Sequence, residues 1–400
     1  MTYYFDEMIN RKNTDSIKFD FAVERGKPED LLPLWVADMD FRAPNEVIEA
    51  LESRSRHGIF GYTETKPDYF ETLREWFEKR FGWNIESSWL VKTPGVVFAI
   101  SAAVRALTDE GDSVLIQRPV YYPFSSSITD NGRNLVNNPL RYSDGKYSID
   151  LDDFERKVRE ENVKLFILCN PHNPVGRVWS REELIGMGDI CLRYGVKVVS
   201  DEIHADFVHE GYRHEVFADI KPEFRDIAIT CTSPSKTFNL AGLQISNVFI
   251  SNQELRRAFI GEIRRTGYSQ LNTLGLTACK AAYKYGGTWL DELKSYLKGN
   301  IEFAAGYIEE ELPGVRLVRT EGTYLLWLDF NDLRLDHDKL EDIIVNKAKL
   351  WLDDGTMFGI EGEGFQRINA ACPRATLETA LSRLKDALYD ACNQRGTEIK

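Results

Sequence analysis

Between about residues 90 and 250 the chain alternates short β-rich apolar runs with stretches in which apolar and polar positions recur at helical spacing. The runs SVLIQ (113–117), KLFILC (164–169), VKVVS (196–200), IAITC (227–231) and SNVFI (246–250) predict strands, and the alternation predicts a mostly parallel sheet covered on both faces by helices. One intervening stretch, SREELIGMGDICLRYG, carries its own boundaries: Ser180 and Glu183 make a capping box and Gly195 a C-terminal cap. After about residue 285 the texture changes to a long helix, then VRLVRTEGTYLLWLDF, then helix, strand and helix, which predicts a smaller α+β unit.

Composition narrows the function classes. A chain of 400 residues exceeds one minimal core, and 43% hydrophobic with 28% charged residues excludes a disordered or fibrous protein. The net charge of -13 argues against a broad nucleic-acid footprint. The six cysteines (Cys169, Cys191, Cys231, Cys279, Cys372, Cys392) include no CxxC, so neither a zinc knuckle nor a disulfide framework is suggested and most read as small core residues. The N-terminal MTYYFDEMINRKNTDS has no apolar h-region, and no run is long enough to span a bilayer. A cytoplasmic protein without membrane or nucleic-acid partners is expected.

A sheet of this kind binds ligands at the carboxyl ends of its strands. There, TSPSKTFNLAGLQ (232–244) delivers Lys236 just past a core strand, where an unpaired ammonium is costly, so the lysine is either paired or used as a nucleophile. After KLFILC, the two Asn-Pro pairs of NPHNPVGRVW turn the chain and offer amide side chains, among them Asn173. After VKVVS, DEIHAD puts Asp201 at the strand exit, either as partner to a cationic ligand group or as a helix N-cap. Ser233 and Ser235 supply hydroxyls, and Gly95 opens an apolar helix whose free amides near Val96 and Val97 suit a phosphate.

Singly these are ordinary loop and cap features, but together they fit one ligand. A phosphate needs helix-end amides and hydroxyls, a protonated ring nitrogen needs a carboxylate, a ring oxygen needs an amide donor, and an aldehyde needs an amine: pyridoxal 5'-phosphate has all four needs. Two other chemistries match less well. Ser233 and Lys236 satisfy S-x-x-K, but the chain has SDE where an acyl-serine enzyme has SDN and KTF where it has KTG. His204, Asp206, His209 and His214 have a spacing that can gather metal ligands, yet a solvated loop with a pairing histidine accounts for it, and no metal is expected.

The order GVV, PVYYP, NPHNPVG, SDEIH, SPSK and FQRINAACPR resembles the fold-type I pyridoxal-phosphate enzymes of the aspartate aminotransferase superfamily. LPLWVADMDF (32–41), NPHNPVGRVW, DEIHAD and SKTFNLAGLQ resemble its MalY/PatB branch of cystathionine β-lyases, or C-S lyases, and the likeness runs over nearly the whole chain. The resemblance implies an α/β fold with a mostly parallel seven-stranded sheet in a large domain (48–287), a small α+β domain (288–400) and an N-terminal segment (1–47) packing with the small domain. It implies that Lys236 forms the Schiff base and shuttles protons, Asp201 keeps the pyridine nitrogen protonated, Asn173 bonds the ring hydroxyl, and Tyr121 stacks on the ring. Ser233, Ser235 and the amides of Val96 and Val97 would hold the phosphate, with Tyr62 reaching the phosphate of a neighbouring subunit in a homodimer. Arg367 would clamp the substrate carboxylate, beside Asn173 and Tyr121.

Two positions depart from the aminotransferase pattern: His204 stands where a tyrosine is frequent, and Gln244 where an arginine often binds phosphate. Both resemble the lyase branch. The implied reaction is β-elimination of a sulfur amino acid such as L-cystathionine to a thiol, pyruvate and ammonia; the alternatives are a class I/II aminotransferase and, further off, a pyridoxal-phosphate-bearing regulatory protein. Trp35, Tyr122, Phe124 and Trp351 are candidates to line the side-chain pocket, or to fill cores.

Overall fold

Residues 3–393 are described in a computed structural model of the chain; the Cys392 side chain lies outside the described residues. Seven strands, β1 (Leu90–Thr93), β2 (Ser113–Ile116), β3 (Asn134–Asn137), β4 (Val163–Cys169), β5 (Lys197–Asp201), β6 (Ala228–Thr232) and β7 (Ser246–Phe249), form one sheet in the order β1-β7-β6-β5-β4-β2-β3. The pairs from β6 across to β3 are parallel, and β7 runs antiparallel to both β1 and β6.

The central strands are apolar throughout because both faces are covered. Alternate residues of β4 divide between two cores: Leu165 and Ile167 pack with Ala99, Ile100 and Ala103 of helix α1 (Val96–Leu107), Phe166 and Leu168 with Leu184, Met187 and Ile190 of helix α2 (Arg181–Tyr194). Each large apolar side chain so buried contributes about 1.5–3 kcal/mol. The helix predicted over 180–195 has both its capping box and a left-handed Gly195 cap. It also approaches its neighbour very closely, since a Cβ at Gly188 would sit 2.2 Å from the Phe224 ring. The five strands read from apolar runs lie within one residue of their expected ends. β1 and β3 escaped that reading because they are edge strands only partly covered, NLVN of β3 being largely polar.

Beyond the long helix Gly287–Glu311, strands β8 (Arg316–Leu317), β9 (Leu325–Asp329), β10 (Asp353–Asp354) and β11 (Phe365–Asn369) make an antiparallel sheet in the order β8-β9-β11-β10, followed by the helix Arg374–Asn393. The N-terminal segment joins both layers. Leu32–Pro33 pairs with Leu350–Trp351, and Leu34 and Trp35 enter the core beside β9 and β11, whereas Phe5, Met39 and Phe41 pack with the helices Pro67–Phe81 and Gly287–Glu311. Two asparagines pin its backbone: the Asn239 amide donates to the carbonyls of Met39 and Phe41, and the Asn369 amide to those of Val36 and Asp38.

The loop carrying Asn173 is held by a buried ion pair, in which Arg177 Nε donates to Glu321 Oε2 at 2.7 Å while Nη2 reaches Glu183. Glu321 also accepts from the Val178 N–H at 3.1 Å. Glu321→Ala leaves these donors buried without their acceptor, and chemical denaturation is expected to show a loss of about 3–5 kcal/mol.

Candidate active site

The carboxyl ends of the parallel strands converge on one cavity of about 390 Å³. Val96 and Val97 reach it from the start of α1, Tyr121 from the loop after β2, Asn173 from the loop after β4, Asp201 from the end of β5, and Ser233, Ser235 and Lys236 from the turn after β6. His204 and Gln244 also line it, and Arg367 of β11 faces these residues from the antiparallel sheet. Eleven of these twelve residues singled out from sequence are thus brought together. The exception is Tyr62, which is 92% exposed and lies outside the cavity, beside Gln270 and Asn272. Of the four aromatic candidates, Trp35 and Tyr122 line the cavity; Phe124 is buried in the core and Trp351 stacks behind Trp35.

Lys236 projects its amine into the cavity, where Nζ donates to the Ala37 carbonyl at 2.8 Å. The Tyr324 hydroxyl donates to the same carbonyl at 3.0 Å. Loss of hydration pushes the lysine pKa down to about 8, with the Arg367 charge adding to the effect and Asp38 and Asp201 opposing it. Asp201 is shifted the other way, up to about 7, because burial outweighs its one hydrogen bond from the Ile203 N–H and the field of Lys236. His204 is pushed down to about 3 by burial and by the charges of Lys236 and Arg367, so its ring is neutral.

Arg367 is buried and held on several sides. Nη1 donates to Asn173 Oδ1 at 2.9 Å, Nη2 to the Trp35 carbonyl at 2.8 Å and to Asp353, and the guanidinium carbon lies 4.9 Å from the Phe358 ring centre. Asp353 stands directly opposite Arg367 in the β10–β11 ladder. Sequence reasoning missed Asp353, since only the strand register brings it to the arginine. It also missed Arg25 and Ile17, which line the cavity from an N-terminal segment without a recognisable motif.

The other chemistries considered do not assemble. Ser233 Oγ donates to the Ile245 carbonyl at 2.8 Å and approaches Ser235 Oγ, while the Lys236 amine is on Ala37. His214 pairs with Glu202, His209 with the carbonyls of Thr320 and Thr323, and Asp206 with the Thr237 hydroxyl. Among the described residues no group of three or more His, Cys, Asp or Glu side chains is placed to hold a metal ion.

The family description "Aminotransferase class I and II" matches residues 29–384. The chain belongs to this family. It is 46% identical over 384 residues to "Cystathionine beta-lyase PatB" of Bacillus subtilis, covering 96% of this chain and 99% of that protein. Among solved structures, cystalysin from Treponema denticola, which contains pyridoxal 5'-phosphate, superposes with a TM-score of 0.94 at 39% identity, over 98% of this chain and all of that one. The PLP-bound C-S lyase from Staphylococcus hominis gives a TM-score of 0.91 at 36% identity, covering 97% and 98%.

Membership of the aminotransferase class I and II family fixes the fold as α/β of fold type I and the cofactor as pyridoxal 5'-phosphate. The cavity's own chemistry fits that cofactor. Asp201 is a buried carboxylate short of partners, so a protonated ring nitrogen would relieve it. The amides of Val96 and Val97 open a helix and have no acceptor within it, which suits a phosphate. Lys236 is an amine with depressed basicity on the same cavity wall.

Proposed function

We propose that the residues around Lys236 carry out carbon–sulfur β-elimination, converting a sulfur amino acid such as L-cystathionine and water to a thiol, pyruvate and ammonia. The chain is a pyridoxal-phosphate-dependent carbon–sulfur lyase of the cystathionine β-lyase type. The observation that carries the residue assignment is a single cavity presenting a lysine of lowered pKa, a buried carboxylate and a buried arginine.

Bound pyridoxal phosphate supplies an aldehyde carbon for the substrate amine and a ring that accepts charge from the α-carbon. The protein's work is to bind, orient and move protons. Arg367 takes the substrate carboxylate in its guanidinium fork, with Asn173 Oδ1 and Asp353 fixing the plane of that fork. Lys236, once its amine is free, removes the α-proton, which a pKa near 8 makes possible close to neutral pH. The same group then returns a proton to the departing sulfur. Asp201 would hold positive charge on the cofactor's ring nitrogen, Tyr121 would pack on the ring, and Asn173 would bond its hydroxyl. Ser233, Ser235 and the amides of Val96 and Val97 would hold the phosphate; His204, neutral and buried, closes the site without adding charge.

The test is pyruvate and ammonia release from L-cystathionine by the pyridoxal-phosphate-loaded protein, with and without a keto-acid acceptor. Pyruvate formed without acceptor supports elimination. Amino transfer that needs the acceptor supports the aminotransferase alternative and sinks the lyase assignment.

The reading includes a homodimer with shared sites, supported by the exposed Ile59, Phe60 and Tyr62 on one loop. It also includes the division into 1–47, 48–287 and 288–400, supported by the sequence ranges of the two main sheets, and a cytoplasmic location. No helix among the described residues is long and apolar enough to cross a membrane. Shared sites make a specific prediction for mixed dimers. Lys236→Ala and Tyr62→Ala proteins, each of low activity alone, regain up to about a quarter of wild-type sites when unfolded together and refolded. That fraction follows because half of randomly paired dimers carry one intact site out of two. Pyruvate release by the mixture checks it, and activity no greater than the mean of the separate variants removes the shared-site reading.

A further inference from the structure

The cavity holds a second guanidinium that the elimination chemistry does not use. Arg25, at the end of a short turn in the N-terminal segment, lines the cavity with Ile17, Trp35 and Tyr122. Its guanidinium carbon lies 5.2 Å from the Trp35 ring centre, and Trp35 is in turn stacked on Trp351 at 4.4 Å with an interplanar angle of 13°. Arg367 hangs on the same residue from the other side, through the Trp35 carbonyl. Trp35 therefore spaces two cations along one cavity, Arg367 buried at its inner end and Arg25 exposed on its outer side.

The two cations differ in how they are satisfied. Arg367 has Asp353, Asn173 and a backbone carbonyl, whereas the Arg25 guanidinium has no hydrogen bond or ion pair among the described residues, only the indole face. The charged groups lining the cavity are Lys236, Arg367 and Arg25 against Asp201 and Asp353. Each carboxylate sits by a cation deeper in the site, as the pairing of Asp353 with Arg367 and the coupling of Asp201 to Lys236 show. The unbalanced positive charge is at the outer end. Stacking on a pair of tryptophans limits the arginine's freedom, so less entropy is lost when it takes an anion.

We propose that Arg25 is a specificity-determining residue that receives a carboxylate on the leaving-thiol arm of the substrate, so that the site selects cysteine thioethers whose tail bears a carboxylate over those with a neutral alkyl tail. The inference rests on the lyase reading of the same cavity and adds the substrate class. With the α-carboxylate on the buried Arg367, Arg25 is the lining cation at the exposed side of the cavity, available to a group on the arm past the sulfur.

The experiment compares L-cystathionine with S-ethyl-L-cysteine as substrates of the pyridoxal-phosphate-loaded wild-type, Arg25→Gln, Arg25→Lys and Arg25→Glu enzymes. Arg25→Gln is expected to lower kcat/KM for L-cystathionine about tenfold, the worth of one charge-assisted contact, chiefly through KM. S-ethyl-L-cysteine is expected to be unaffected, and Arg25→Lys to recover part of the loss. Arg25→Glu is expected to favour S-(2-aminoethyl)-L-cysteine, whose tail is cationic. Equal effects of Arg25→Gln on both thioethers, or none on either, overturn the inference while leaving the lyase reading standing. Failure of the wild-type enzyme on both substrates overturns the lyase reading and this inference with it.

Discussion

Lys236→Ala protein, loaded with pyridoxal phosphate, is expected to release pyruvate from L-cystathionine roughly 10³-fold more slowly than wild type, or not measurably. Positioned proton transfer alone contributes about 10²–10⁴-fold, and this lysine is assigned both the removal and the return of the proton. No other amine lines the cavity to take its place. The loss should be confined to chemistry. The Lys236 ammonium sits where burial disfavours its charge, with one carbonyl as its hydrogen-bond acceptor, so thermal unfolding of the variant apoprotein should occur no lower than that of wild type. A variant that keeps substantial pyruvate release, with the fold intact, would show that the proton is moved by another group.

Asp201→Asn is expected to cost nearly as much activity, about 10²–10³-fold, because the neutral amide cannot hold positive charge at the ring nitrogen. Its effect on the apoprotein should have the opposite sign. A free aspartate titrates near 3.9, whereas burial raises Asp201 to about 7, so between these values the folded state keeps a proton that the unfolded state has lost. Stability contributed by this group is therefore lost as pH rises from about 4 to about 7, by on the order of 4 kcal/mol in all, and then levels off. Asparagine does not titrate. Denaturant melts of cofactor-free protein at pH 5 and pH 8 should show Asp201→Asn gaining on wild type as pH rises, and a pH-independent difference would contradict the assignment of Asp201 as a strained carboxylate.

How far the sequence could be read depended on the range of the interaction that sets each feature. Lys236, Asp201 and Asn173 were legible because a buried strand followed by a turn is a local pattern, and the strand's end marks the site. The α2 helix was legible for the same reason, since Ser180, Glu183 and Gly195 act within a turn of their own positions. Asp353 was not. Its pairing with Arg367 depends on the register of two short strands across a turn of 3₁₀ geometry, and nothing around LDDGTMFG marks that register in advance. Arg25 was hidden by a longer connection, as its place at the cavity depends on Trp35 stacking on Trp351, far along the chain. The histidines near residue 209 are the converse case: they lie close together in sequence, but each takes its own partner, a carboxylate or backbone carbonyls.

β11 places Arg367 and Asn369 two residues apart, so both side chains leave the same face of one strand. One takes the Trp35 carbonyl and the other those of Val36 and Asp38, on either side of the Ala37 carbonyl that receives the lysine. The substrate grip proposed for Arg367 and the placement of the lysine are consequently inherited together, and a change on this strand disturbs both at once. Variation in substrate range is left to the outer wall, where side chains such as Ile17 and Arg25 have few obligations. Divergence within this lineage should accordingly accumulate at the mouth of the cavity while its floor stays fixed.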